Sequence, residues 1–120
     1  MRNVLVVDSN AVALGVVSEY LAARSFHVDC ACSVPEAEDF IRQAALSYDA
    51  VITDLRFSGY NDERGLDVVA AVKRVSPRTK VCLLASWFSS EVEDAARNAG
   101  ADFMLEKPQP LQTIAEILSR

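Results

Sequence analysis

Short apolar runs alternate with longer amphipathic stretches from one end of the chain to the other. Each run spans only three to five residues, as is typical of strands that are buried on both faces of a parallel sheet. The predicted strands are centred on residues 4–7, 28–32, 50–53, 81–85 and 103–105.

The stretches between these runs have the periodicity of helices. Apolar residues recur there at i, i+3, i+4 and i+7, which gives a helix one face to bury against a sheet. The segment at residues 66–75 is less regular but carries four valines on its apolar side. The four clear stripes are Ala13/Val16/Val17/Tyr20, Ala37/Phe40/Ile41/Ala44, Val92/Ala95/Ala96/Ala99 and Leu111/Ile114/Ala115/Leu118.

Residues that start and stop helices lie where this alternation predicts helix ends. Ser33-x-x-Glu36 and Ser90-x-x-Glu93 match the capping box, in which the serine oxygen accepts from a free amide and the glutamate reaches back. Gly100 is predicted to end one helix and Pro110 to begin the last one. We therefore expect a (βα)5 chain.

Five βα units of this kind predict an α/β fold with a five-stranded parallel sheet and helices on both of its faces. Residues 26–30 alternate between apolar and polar, which indicates a half-exposed strand at the edge of that sheet. The whole chain, residues 1–120, is predicted to be one domain.

Composition and charge narrow the class of protein. The chain has 120 residues, of which 51% are hydrophobic, and this is enough to form a core without metals or disulfides. Its net charge of −5 argues against direct binding of nucleic acid or of an anionic membrane. Neither a signal peptide nor a membrane span is apparent, so we expect a cytoplasmic protein.

Cys30, Cys32 and Cys82 lie in apolar runs and are predicted to be reduced core thiols.

The polar residues that follow the strands suggest where the chemistry lies. Ligands of open parallel sheets bind beyond the carboxyl ends of the strands. Asp8 follows the first strand, Asp54 follows the third, and Lys107 follows the fifth. Two carboxylates and one ammonium group are therefore expected to converge at one edge of the sheet.

This combination favours phosphoryl transfer assisted by a divalent cation. Clustered carboxylates repel one another unless a cation lies between them, and Mg²⁺ prefers such oxygen ligands. A carboxylate beside a metal and a lysine can attack phosphorus and form an aspartyl phosphate. Each residue also has an ordinary interpretation: Asp8 as a helix cap, and Lys107 as a surface lysine. Asp54 follows a buried run, where an unpaired charge is costly, and this favours a site.

The chain resembles, over essentially its whole length, the receiver domain of two-component response regulators. The matching stretches are VLVVD at 4–8, DAVITDL at 49–55, GL at 65–66 and AGADFMLEKP at 99–108. The resemblance implies a flavodoxin-like strand order 2-1-3-4-5 and a cis bond between Lys107 and Pro108. It also implies that Asp54 accepts a phosphoryl group that Lys107 contacts.

The resemblance implies partners and a cofactor as well. The phosphoryl donor would be a sensor histidine kinase or a phosphotransfer protein, and an output domain or effector protein would receive the signal. Mg²⁺ would be held by Asp8, Asp54 and the backbone carbonyl of Arg56. The protein would not be an enzyme, beyond its own phosphotransfer and slow autodephosphorylation.

The chain departs from the family pattern at several positions. Ser9 replaces the second of two adjacent acids, which leaves only a hydroxyl as a candidate ligand. Ala85 replaces the hydroxyl residue at the end of strand four, and the neighbouring Ser86 is expected to face the other way. Met104 stands where an aromatic switch residue is usual, and Trp87 is expected at the rim of the site.

Two functions from different classes therefore stay open. One is a phosphoacceptor whose conformational response is unusual. The other is a pseudo-receiver, which would bind a partner protein independently of phosphorylation. The retained Asp8, Asp54 and Lys107 favour the phosphoacceptor.

Overall fold

A computed structural model describes residues 2–120 as five strands and five α-helices in strict alternation. A single 3₁₀ turn at Ala45–Ser47 interrupts the pattern before the third strand. The strands are β1 (Arg2–Val7), β2 (Phe26–Ala31), β3 (Ala50–Asp54), β4 (Lys80–Ala85) and β5 (Phe103–Glu106). The helices are α1 (Ala11–Ala22), α2 (Val34–Ala44), α3 (Gly65–Val75), α4 (Ser90–Ala99) and α5 (Leu111–Leu118).

The strands form one parallel sheet in the order β2-β1-β3-β4-β5. This confirms the predicted fold class and strand order, and each predicted strand lies within two residues of the observed one. β2 is an edge strand with partly exposed residues in its middle, as its alternating sequence indicated. Among the described residues, no helix has both the length and the apolar character that crossing a membrane requires.

Alternate residues of the central strands pack into two separate cores. Leu5 and Val7 of β1 face α2, α3 and α4, whereas Val4 and Val6 face α1 and α5. All four side chains are at most 4% exposed, and full burial of a side chain of this size stabilises the fold by about 1.5–3 kcal/mol. The continuous apolar runs are thus explained by a sheet covered on both sides.

The first predicted capping box is present. The Ser33 hydroxyl accepts from the amide of Glu36 at 3.2 Å, and the Glu36 carboxylate accepts from the amide of Cys32 at 2.8 Å. The glutamate therefore reaches one residue further back than the standard motif. Gly100 ends α4 with a φ of 105°, as predicted.

The second predicted capping box is wrong by one residue. Ser89 has the extended backbone that a cap requires, and its hydroxyl accepts from the amide of Val92 at 3.1 Å. Ser90 already lies within α4 and cannot act as its cap.

The prediction that all three cysteines are core thiols is also wrong for Cys32, which is exposed because it follows the last residue of β2.

Candidate functional site

Three of the predicted residues meet at the carboxyl end of the sheet. Asp8 directly follows β1, Asp54 is the last residue of β3, and Lys107 directly follows β5. The Nζ atom of Lys107 lies 2.5 Å from Oδ1 of Asp54 and 3.8 Å from Oδ2 of Asp8. The bond between Lys107 and Pro108 is cis, as the resemblance implied.

The two carboxylates are buried and share a single cation. Asp54 is 4% exposed and Asp8 is 9% exposed. Burial raises the pKa of Asp54 to about 7; the Lys107 ammonium opposes this rise, and the Asp8 carboxylate adds to it. One ammonium therefore does not compensate for two ionised carboxylates, and the site favours a further positive charge.

The alternative interpretation of Asp8 as a helix cap is wrong. Asn10 caps α1, because its side-chain oxygen accepts from the amides of Val12 and Ala13, each at 3.0 Å. Asp8 lies three residues before the first residue of the helix, and its carboxylate accepts from the amide of Asn10 at 2.8 Å. One oxygen of Asp8 thus orders the turn after β1, and the other faces Lys107.

The donor atoms at this edge fit a hard divalent cation. Mg²⁺ in proteins commonly takes one or two carboxylates and completes its octahedron with other oxygens and water. The paired carboxylates of Asp8 and Asp54 supply the charged oxygens, and Oδ1 of Asp54 is buried with no hydrogen-bond donor besides its ion pair with Lys107. Over residues 2–120 no three acidic, histidine or cysteine side chains are placed so that together they could hold a metal ion, so a third protein ligand would be a carbonyl or hydroxyl oxygen.

Ser9 lies exposed beside Asp8, and this position leads to a prediction about cation affinity. Ser9→Asp is expected to tighten Mg²⁺ binding roughly tenfold, because a third carboxylate adds charge and an oxygen ligand to the site. Calorimetry or quenching of Trp87 fluorescence would measure the affinity. Ser47→Asp is the matched control, since exposed Ser47 precedes β3 at the opposite end of the sheet. Equal affinities for both variants would contradict the prediction.

A cavity of about 90 Å³ opens beside the acids. It is lined by Asp54, Arg56, Leu84, Ala85, Ser86 and Lys107. Ala85 contributes only a methyl group at the position where the family usually has a hydroxyl. Ser86 also lines the cavity; it follows the last residue of β4, so the alternation of strand side chains does not extend to it.

The residues of β5 divide between the two cores. Met104 is half-buried and packs on the side of α2, α3 and α4, in the same cluster as Ala85. Phe103 packs in the opposite cluster, beside α1 and α5. The side of the sheet that Ala85 faces therefore has a thioether where the family usually has an aromatic ring.

Trp87 and Phe88 follow β4 and take different environments. Phe88 packs against the core, whereas Trp87 is 36% exposed at the surface. The guanidinium carbon of Arg56 lies 3.7 Å from the centre of the Trp87 ring, and the ring of Tyr60 lies 5.0 Å from it. Sequence reasoning missed Tyr60, although an aromatic residue within a polar loop was an available signal.

The loop between β3 and α3 is organised by the carboxylate of Asp62. It accepts from the amides of Phe57, Ser58 and Arg64 at 2.8–3.1 Å and forms an ion pair with the Arg64 guanidinium at 2.9 Å. These hydrogen bonds hold the pKa of Asp62 well below its usual range, the Arg64 side chain contributing most. Sequence reasoning also missed this residue, because its partners depend on how the loop folds.

The base of that loop is closed by Gly65. Its amide donates to the carbonyl of Leu55 at 2.9 Å. A Cβ atom at this position would lie 2.2 Å from the carbonyl oxygen of Asp54, so only glycine lets α3 begin this close to the end of β3.

Comparisons with known proteins agree with this geometry. The family model for the response regulator receiver domain matches residues 4–119. The photosynthetic apparatus regulatory protein RegA of Rhodobacter capsulatus is 26% identical over 117 residues, which cover 98% of this chain and 61% of RegA. The chain thus spans less than two thirds of that relative's length.

Solved structures show the same similarity. The chemotaxis protein CheY4 of Vibrio cholerae superposes with a TM-score of 0.85 at 27% identity, covering 100% of this chain and 98% of that one. A response regulator from Burkholderia pseudomallei, solved with a phosphorylated aspartic acid, a calcium ion and citrate, gives 0.86 at 27% identity, covering 98% and 66%. With the matching family model, these findings place the chain in the response regulator receiver domain family.

Proposed function

We propose that this domain accepts a phosphoryl group on Asp54 and passes the signal to an output domain or effector protein. The donor would be a phosphohistidine of a sensor kinase or of a phosphotransfer protein. The observation that carries the proposal is the Lys107 ammonium, 2.5 Å from the Asp54 carboxylate and beside Asp8 at the end of the sheet. The functional unit would be the whole of residues 1–120.

Each residue has a defined part in the transfer. A carboxylate oxygen of Asp54 attacks phosphorus, and the bond between phosphorus and the donor's ring nitrogen breaks. The electron pair stays on that nitrogen, and the product on Asp54 is a mixed acyl–phosphate anhydride. The Lys107 ammonium contacts the oxygens of the transferred group and offsets their charge. This is self-modification, so the domain is not proposed as an enzyme for a separate substrate.

Asp8, Asp54 and the backbone carbonyl of Arg56 would hold Mg²⁺, with the Ser9 hydroxyl as a further candidate. Bound there, the ion would supply charge compensation for the phosphoryl oxygens. The burial of both carboxylates beside one ammonium supports this assignment. The Burkholderia relative, whose structure contains a phosphorylated aspartic acid and a calcium ion, supports it as well.

A second function, a pseudo-receiver that binds partners without phosphorylation, is favoured by two positions. Ala85 supplies no hydroxyl to the cavity beside Asp54, and exposed Ser9 replaces a carboxylate at the cation site. Both changes weaken the usual chemistry of the family while leaving the fold intact. The two functions differ in whether Asp54 becomes modified.

Intact-mass measurement after incubation with acetyl phosphate and Mg²⁺ distinguishes them. The unmodified sequence is expected to gain one phosphoryl group and Asp54→Ala none, because Asp54 is the buried carboxylate paired with Lys107. Asp67→Ala, at an exposed position in the first turn of α3, is the matched control and should label normally. A labelled Asp54→Ala protein would refute the assignment, and an unlabelled parent chain at saturating Mg²⁺ would favour the pseudo-receiver.

A further inference from the structure

The side chain of Arg56 connects the phosphoacceptor cavity to two surface loops. Its Nε donates to the carbonyl of Tyr60 at 3.1 Å, and its Nη1 donates to the carbonyl of Trp87 at 2.9 Å. Tyr60 lies in the loop after β3, and Trp87 lies in the loop after β4. The guanidinium group therefore joins these two loops at the rim of the site.

The third nitrogen of this guanidinium has no such partner. Nη2 of Arg56 is buried and makes no hydrogen bond to any other described residue. A buried donor that carries charge is costly to leave unpaired. Arg56 lines the same 90 Å³ cavity as Asp54 and Lys107, so the unpaired donor belongs to a side chain in the wall of the proposed phosphoryl site.

Two other residues of the cavity lining, Ser86 and Lys107, carry side-chain donors, and of these only Lys107 is a cation. Ala85 presents a methyl group, and Lys107 already contacts Oδ1 of Asp54. A phosphoryl group on Asp54 would bring three anionic oxygens into this space, and guanidinium groups bind such oxygens strongly and with directional hydrogen bonds. Arg56 is thus the second cation in the cavity lining, and its Nη2 has no hydrogen-bond acceptor.

We propose that Arg56 is a ligand of the phosphoryl group on Asp54 and that it couples this group to the loops carrying Tyr60 and Trp87. The inference rests on the proposed function. It assigns to a guanidinium the contact that Ala85 cannot make. A bidentate contact with the anion would use Nη2 together with Nη1 or Nε, and that second nitrogen would then leave its carbonyl partner. Phosphorylation therefore loosens the link between the loops.

The stacking around Arg56 makes this coupling measurable. The guanidinium carbon lies 3.7 Å from the centre of the Trp87 ring, and the Tyr60 ring is tilted by 39° against that ring. The chain contains one tryptophan, so its fluorescence reports this position alone. Anion binding can shift the two loops only if their two arrangements bind the anion with different affinities. Here the difference in affinity would come from the hydrogen bonds of the Arg56 guanidinium.

Titration with beryllofluoride at saturating Mg²⁺ tests the proposal, with ¹⁹F NMR for the bound anion and Trp87 fluorescence for the loops. Arg56→Lys retains the charge and the backbone carbonyl but loses the forked donor. It is expected to weaken beryllofluoride binding roughly tenfold and to reduce the fluorescence change per bound anion at least severalfold. Arg64→Lys is the matched control, because that guanidinium lies in the same loop but binds Asp62.

The outcomes separate the two proposals. Absence of a bound ¹⁹F signal in the parent chain would refute the proposed function itself. Binding to the parent chain with unchanged affinity and fluorescence in Arg56→Lys would overturn this inference alone. A weaker affinity with an unchanged fluorescence response would overturn the coupling.

A measurement without substitution covers the case in which Arg56→Lys fails to fold. Side-chain ¹⁵N NMR of arginine in the parent chain is expected to show one guanidinium resonance shifted by beryllofluoride, with broadening of its Nε signal. Unshifted arginine resonances in a protein that binds the anion would overturn the proposal. The Arg64 resonance serves as the internal reference for a guanidinium of the same loop.

Discussion

Asp54→Asn is expected to raise the free energy of unfolding by about 2 kcal/mol at pH 8 in metal-free buffer. In the parent chain, burial raises the pKa of Asp54, so ionising this group costs the folded state more than the unfolded one. An asparagine amide avoids that cost while keeping two partners: its oxygen can accept from Lys107, and its nitrogen can donate to Asp8. The reactive carboxylate of Asp54 is therefore expected to lower the stability of the fold.

The pH dependence provides the check. Because the folded-state pKa of Asp54 is raised to about 7, the folded chain holds a proton that the unfolded chain releases above about pH 4. Stability of the parent chain should fall as pH rises from about 4 to 7 and then level off. Urea unfolding should show that the gain in unfolding free energy of Asp54→Asn over the parent chain is smaller at pH 5 than at pH 8. An equal advantage at both pH values would contradict this account.

Gly65→Ala is expected to cost about 3 kcal/mol of stability. The added Cβ would lie 2.2 Å from the carbonyl oxygen of Asp54 and 2.5 Å from Cα of Leu55. Both are backbone atoms, so relief requires α3 or the end of β3 to shift. Because the shift moves Asp54 itself, labelling by acetyl phosphate should slow as well.

Gly15→Ala is the matched control, because it makes the same chemical change without a clash. Gly15 is exposed within α1, and a Cβ there would meet nothing within 4 Å. Alanine should stabilise this helix by about 0.5–1 kcal/mol. Urea unfolding of the two variants should therefore show effects of opposite sign, and a loss below about 1 kcal/mol for Gly65→Ala would refute the close-approach argument.

The strands and their order could be predicted because their signal is contained in the sequence itself. Residues 4–7 and 50–52 are continuously apolar, and only a strand covered on both faces buries all of them. Asp8, Asp54 and Lys107 could be predicted to meet, because they follow parallel strands whose carboxyl ends share one edge. These predictions required no knowledge of loop conformation.

The remaining features depend on backbone conformations that the pattern does not determine. Ser89 and Ser90 are the same residue type, and only the extended backbone of Ser89 makes it the cap of α4. Arg56 and Trp87 were both predicted near the site, but their stacking depends on how two loops meet. The contribution of Tyr60 is a backbone carbonyl, which residue type does not reveal.

The hydrogen bond between Gly65 and Leu55 has a consequence for changes in chain length. It holds the two ends of the loop at residues 56–64 together, so that the loop has an Ω shape. The amide of Leu55 also donates to the carbonyl of Leu84 at 2.8 Å. Lengthening such a loop lowers the stability of the fold only slightly, since each doubling of loop length adds only about 0.6 kcal/mol of closure entropy. Residues grafted at the exposed tip would therefore leave the spacing of Asp54 and Lys107 unchanged. The tip is a natural place to install an epitope or an optical reporter beside a working site.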